Sequence, residues 1–191
     1  MKKLVLISTL LLFCSVPSQD AMAASDLGWR SLGANVGFVD PDNVDGTVGF
    51  GAFADLGPFA TDWHLMPQLG YWSKSQGAFG YDASVSDFSI GSRANYMFHV
   101  SSPKFQPYAG AGLGLHFVTA KVTTPDLDFG GTIIPGSTAS DTSTKLGLDM
   151  GGGFVTPLGA KTDLTGDVWY TAVSDVSHFS MKIGLAMKLG K

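Results

Sequence analysis

The chain contains no glutamate, and all 16 of its acidic residues are aspartate. Charged residues of any kind make up only 15% of the sequence. Helical surfaces are built largely from Glu, Lys, Ala and Leu, so this scarcity excludes a helical bundle. Cysteine occurs once, at Cys14. Basic residues number 12 and form no patch or stripe, which leaves no electrostatic footprint for nucleic acid. Past the N-terminus no run approaches the 18 consecutive apolar residues of a membrane helix. With 191 residues the chain has the length of one ordinary domain and is too short for two.

Lys2 and Lys3 precede an apolar run from Leu4 to Val16, followed by Ala21-Met22-Ala23. That order of basic, apolar and small residues predicts a secretory signal peptide over residues 1–23, leaving a mature domain of residues 24–191. A lipoprotein anchor on Cys14 would need a small residue before it, and Phe13 stands there. Removing Lys2, Lys3 and Asp20 from 12 basic and 16 acidic residues leaves a net charge of -5. Cleavage also removes the cysteine, and with it any disulfide, thiol nucleophile or cysteine-based metal site. A small exported domain without such staples needs another source of stability, and closure of a barrel in a membrane supplies one.

What the chain has in abundance is glycine (25), phenylalanine (13) and apolar residues generally (45%). They are arranged with period two. Leu32, Ala34, Val36 and Phe38 alternate with Ser31, Gly33, Asn35 and Gly37, and after a turn at Asp40–Gly46 a second strand runs from Thr47 to Leu56. Trp63, Leu65, Leu69 and Tyr71 alternate with His64, Met66 and Gln68, although Pro67 suits a central ladder poorly. The clearest alternations run from Asp87 to Val100 and from Phe105 to Phe117. Three further strands are centred on Leu146–Gly151, Asp167–Tyr170 and His178–Leu189. Thr119–Ser143 is the longest irregular stretch, rich in Thr, Ser, Gly, Asp and Pro, and reads as a loop. Short connections after the second, fourth and sixth strands, against longer or more polar ones after the first, third and fifth, match the turn-and-loop asymmetry of membrane barrels.

Period two alone does not say whether the apolar face points to a soluble core or to lipid. The composition of the other face does. A water-exposed face would carry Lys, Glu and Arg, whereas this one is mostly Gly, Ser, Asn, Gln and His, which suits a narrow, filled lumen. Gly110, Gly112, Gly114, Gly147, Gly151 and Gly153 leave room there for inward Tyr108, Trp169 and Arg93. Aromatics near strand ends, among them Trp63, Tyr71, Phe88, Phe98, Phe105, Phe117, Tyr170 and Phe179, match interfacial girdles. The predicted fold is all-β: an eight-stranded antiparallel transmembrane β-barrel with up-and-down meander topology. A soluble lipocalin-like carrier is the alternative architecture.

Two segments, KFQPYAGAGLGLHF (Lys104–Phe117) and SDVSHFSMKIGLAMKL (Ser174–Leu189), resemble strands of the OmpA/OmpX-like family of small outer-membrane β-barrel proteins. The last strand is similar to the signal read by the bacterial barrel-assembly machinery, through polar Lys182, Gly184 and then hydrophobic Met187 and Leu189. That family usually ends on an aromatic residue, whereas this chain ends Leu189-Gly190-Lys191. The resemblance implies an outer-membrane location, contact with lipid and lipopolysaccharide, and a monomer. It says little about activity, because one barrel fold hosts adhesins, lipid-modifying enzymes and passive anchors.

The inward faces carry Asp87, Arg93, Asp149, Asp167 and Lys182, together with His64, His99, His116 and His178. Buried charges persist when they are paired and hydrogen-bonded, so Arg93 and Lys182 are expected to bridge carboxylates of neighbouring strands in a polar plug. A proton or ion path through the same groups is the rival reading. His178 and Ser180 lie two residues apart on one strand face, within reach of base-assisted nucleophile activation. The pair is similar to the His-x-Ser element of the outer-membrane lipid A deacylase family, but Met181 stands where that family has Asn, and its orienting Glu has no counterpart. The expectation is that His178 and Ser180 join the lumen network. Asp40, Asp42 and Asp45 lack the closing bidentate acid of a calcium loop and read as a turn. Asp126 and Asp128 are candidate ligands for a divalent cation at lipopolysaccharide phosphates, with simple solvation as the plainer reading. Gly110, Gly112 and Gly114 match no phosphate loop, since no helix start follows. The function expected is structural or interactive rather than catalytic, with no cofactor and no metal, through contact of loop 119–143 with an external or envelope partner. A small diffusion pore is the second expectation and a deacylase-type enzyme the third.

Overall fold

The computed structural model describes residues 26–78, 81–102 and 104–189. The predicted signal peptide lies outside the described residues. Eight long strands follow in order: β1 (Ser31–Pro41), β2 (Thr47–Asp55), β3 (Trp63–Ala78), β4 (Tyr81–Met97), β5 (Gln106–Thr123), β6 (Thr138–Pro157), β7 (Thr162–Val173) and β8 (His178–Lys188). Each pairs antiparallel with its neighbours in sequence, and β1 pairs with β8 from Ser31↔Lys188 to Pro41↔His178. The sheet is therefore a closed up-and-down barrel of eight strands. Three short strands are appended: Pro58–Ala60 pairs with β3, and Leu127–Phe129 forms a hairpin with Thr132–Ile134.

Period two decides which side chains face out. Leu32, Val36, Phe38, Val48, Phe50, Ile90, Leu113, Leu115, Leu148, Met181, Ile183 and Leu185 form an exposed apolar belt around the barrel. Water-soluble monomers rarely expose so continuous an apolar surface. Outward aromatics meet across strands. Trp63 packs edge-on against Tyr96, which packs against Phe98, while Phe105 stacks on Phe154 and Phe88 on Phe117. Pro67 sits where one ladder stops. The β2–β3 pairing ends at Phe53↔Gln68, and the next bonds on that side belong to Leu65, so the missing N–H falls in a gap.

The loop-like reading of residues 119–143 is corrected: β5 runs on to Thr123, and β6 begins at Thr138. Thr, Lys and Ser take over the outward positions there and hid these extensions, because that face need not be apolar once the strand leaves the membrane. β3 likewise runs further than its alternation suggests, its ladder with β4 reaching Ala78↔Tyr81. The expected asymmetry of short turns and long loops therefore resides in the strands. β1, β2, β7 and β8 have 9–12 residues, close to what a tilted strand needs to cross a bilayer. β3–β6 have 16–20. The surplus projects from the end opposite the termini as a four-stranded sheet, in which Ser73–Ala78 and Thr138–Leu146 have a ladder on one side only.

Candidate functional site

The interior is built by size complementarity between adjacent strands. Inward Asn35 lies opposite Gly51 and Gly184, Phe53 opposite Gly33, Trp72 opposite Gly49, Asn95 opposite Gly110, Arg93 opposite Gly112, Trp169 opposite Gly151, and Asp167 and Tyr108 both opposite Gly153. A Cβ added at Gly112 would meet Ser92 O at 2.6 Å and Arg93 Cγ at 2.7 Å. Eight strands enclose just enough room for side chains, so each large inward group needs a neighbour without one.

Asp149 is the hub of the middle layer. Arg93 Nε donates to its Oδ2 at 3.0 Å, Gln68 Nε2 donates to the same oxygen at 2.7 Å, and Thr171 Oγ1 donates to Oδ1 at 2.6 Å. The Arg93 guanidinium also lies 3.8 Å over the Trp169 ring. Residues from β3, β4, β6 and β7 thus converge on one carboxylate. The expected bridge from Arg93 is present; the one expected from Lys182 is not. Lys182 stands opposite Asp167 in register, yet among the described residues it has no ion pair within 4.0 Å, and Asp167 Oδ1 accepts no hydrogen bond. Sequence adjacency placed the right residues on the right face but could not supply side-chain reach.

Toward the projecting sheet, Asp87 Oδ2 lies 2.8 Å from His116 Nδ1, both buried. The His178 ring packs edge-on between His116 and Trp72, at 6.1 and 6.0 Å. Above it Val118, Val173 and Val176 form a buried apolar cluster. His178 Nδ1 contacts Val176 O at 3.3 Å. Ser180 is buried on the same face, and among the described residues no hydrogen bond joins it to His178. The pair is therefore walled inside the barrel, away from the lipid face.

At the opposite end, His64 Nδ1 lies 3.0 Å from both Asp55 oxygens, and Lys188 Nζ lies 2.8 Å from Asp163 Oδ1. These pairs, with His116, Gln68 and Thr171, are the polar partners that sequence reasoning did not assemble, because cross-strand neighbours depend on register. His99 is corrected: β4 ends at Met97, so His99 is exposed in the following turn, 3.5 Å from Asp62. Asp126 Oδ1 accepts a bond from Gly136 N at 2.6 Å and braces the outer hairpin; the side chain of Asp128 lies outside what is described. Among the described residues no group of three or more His, Cys, Asp or Glu converges as a metal site. Of the proposed assembly residues, Met187 is exposed on the outer face, Gly184 is inward beside Asn35, and Leu189 follows the end of β8, its N–H bonded to Arg30 O.

Solved structures share this fold. Neisserial surface protein A is 20% identical over 84% of this chain and 96% of its own, with a TM-score of 0.57. Ail, the attachment invasion locus protein of Yersinia pestis, solved in complex with the heparin analogue sucrose octasulfate, is 16% identical over 87% and 100%, with a TM-score of 0.53. A major outer membrane protein from Thermus thermophilus is 12% identical over 84% and 99%, with a TM-score of 0.61. No curated protein matches the chain. Residues 6–188 match the family described as outer membrane protein beta-barrel domain, and with the closed barrel and its apolar belt in view, the chain belongs to that family.

Proposed function

We propose that the protein is exported to the bacterial outer membrane and acts there as a monomeric structural and interaction protein, neither a catalyst nor a pore. The observation that carries this reading is the overhang of β3–β6. Beyond Trp72 on β3 and Gly147 on β6 the strands continue for six and nine residues with no strand paired to their outer side among the described residues, or roughly 20 and 30 Å along the strand. Their surface is exposed and mainly Thr, Ser, Asp and Lys, and it is capped by the 124–137 hairpin with Ile133 exposed. The barrel serves as the anchor and this ridge as the contact surface for an external or envelope partner. Lipid and lipopolysaccharide surround the belt, and the barrel-assembly machinery reads the last strand through Lys182, Gly184, Met187 and Leu189. The lumen network of Asp87, Arg93, Asp149, Asp167, Lys182, His178 and Ser180 acts as a plug, supported by the Asp149 hub and by the valine cluster above it. Burial of His178 and Ser180 inside the wall favours a structural role over lipid deacylation.

Two measurements test this. The Ser140→Cys variant has no competing thiol once the leader is removed, and it should react with a membrane-impermeant maleimide on intact cells. The folded protein in a planar bilayer should show no stable conductance. Labelling only after lysis would refute surface display, and discrete, salt-proportional conductance would establish the pore reading instead.

A further inference from the structure

The half of the interior nearest the termini holds a cavity of about 240 Å³. An apolar cavity of about 150 Å³ already accommodates benzene, so an aromatic ring with a short substituent fits here. Phe53, Met66, Met97 and Val155 supply apolar wall, and Phe105 borders the rim. Ser31, Pro157 and Lys188, at the strand ends on the terminal side, also line it and place its mouth there.

Three carboxylates (Asp55, Asp163, Asp167) and two cations (Arg93, Lys188) line this space. All but one have an ion-pair partner: Arg93 pairs with Asp149, Lys188 with Asp163, and Asp55 with His64. Asp167 is 8% exposed, its Oδ1 has no hydrogen-bond partner, and among the described residues it has no ion pair within 4.0 Å. Lys182, its register partner, lines a separate void of about 30 Å³ on the other side of the Arg93 layer. Trp169, two residues on and therefore on the same face, is 1% exposed and its Nε1 lacks an acceptor. A buried carboxylate beside aromatic wall is unsatisfied until a donor, and preferably a positive one, reaches it.

We propose that this cavity binds a small organic ammonium with an aromatic-sized apolar body, entered from the terminal end, the ammonium on Asp167 and the body against Phe53, Met66 and Met97. The site lies at the opposite end from the surface ridge and does not depend on that reading.

Three probes of one shape and different charge test it: benzylammonium, benzyl alcohol and benzoate, added to the mature chain folded in detergent. The readout is the NMR signal of 13C-labelled methionine methyls. Met66 and Met97 line the cavity, whereas Met150, Met181 and Met187 face lipid and report partition into the micelle. Benzylammonium should shift Met66 and Met97 saturably, at least tenfold more tightly than benzyl alcohol, with benzoate weakest, and Asp167→Asn should erase the preference. Equal affinity for ammonium and alcohol, preference for benzoate, or shifts confined to the lipid-facing methyls would overturn the proposal. If Asp167→Asn fails to fold, Ala186→Leu fills the cavity without touching a charge and should remove the saturable response; a response that survives it would also overturn the site.

Discussion

Replacing Arg93 with alanine removes one of the three donors to Asp149 together with the cation that covers Trp169. Breaking a buried pair by deleting one partner costs about 3–5 kcal/mol, because the remaining charge is stranded. Asp149 keeps its bonds from Thr171 and Gln68, which places Arg93→Ala at the lower end, near 3 kcal/mol. With a urea dependence of about 2 kcal/mol per molar, the unfolding midpoint should fall by roughly 1.5 M. The assay is urea unfolding of the barrel in lipid vesicles, followed by tryptophan fluorescence and by heat-dependent gel migration. Adding Asp149→Leu to Arg93→Met removes both charges and should recover most of the loss, since apolar replacement of a whole buried pair is close to neutral. An unchanged midpoint for Arg93→Ala would refute the hub, and a double variant no better than the single would refute the stranded-charge argument.

Three further outcomes follow from the same geometry. Lys182→Met, which removes an inward ammonium with no ion pair among the described residues, should move the midpoint far less than Arg93→Ala and raises it if desolvation dominates; a loss as large as that of Arg93→Ala would show a partner in solution. Gly112→Val puts side-chain atoms where Ser92 O and Arg93 Cγ already lie, so the heat-modifiable folded band should disappear. Leu113→Arg places a charge on the lipid face and should cost about 2–4 kcal/mol if that position lies at the bilayer midplane, measured by the same unfolding titration.

Most of the wall was legible in the sequence, because a barrel wall is a one-dimensional pattern. From Phe88 to Phe98 and from Phe105 to Phe117, each residue's parity told which side it faces, and the inward glycines announced where Tyr108, Arg93 and Trp169 would fit. The overhang was not legible. Thr119–Thr123 and Thr138–Ser143 leave the bilayer, lose the apolar half of their alternation, and read as loop although their backbone remains in a ladder. The site was half legible. Asp87, Arg93, Asp149, Asp167, Lys182, His178 and Ser180 all face inward as expected, yet who bonds to whom depends on register across four strands, which no local pattern encodes. Hence Asp149 collects partners from β3, β4 and β7, while Lys182 misses the carboxylate beside it.

The seam between β1 and β8 has a consequence for how the molecule is made. Every other ladder joins strands that are neighbours along the chain, whereas this one joins the first long strand to the last, from Ser31 with Lys188 to Pro41 with His178. The wall cannot close until β8 is present, and every earlier assembly leaves two open edges that invite pairing with other chains. Biogenesis is therefore an all-or-none act that waits for the final eleven-residue strand, and truncation by a single turn of the pattern at the C-terminus would leave a sheet without a rim rather than a slightly smaller barrel.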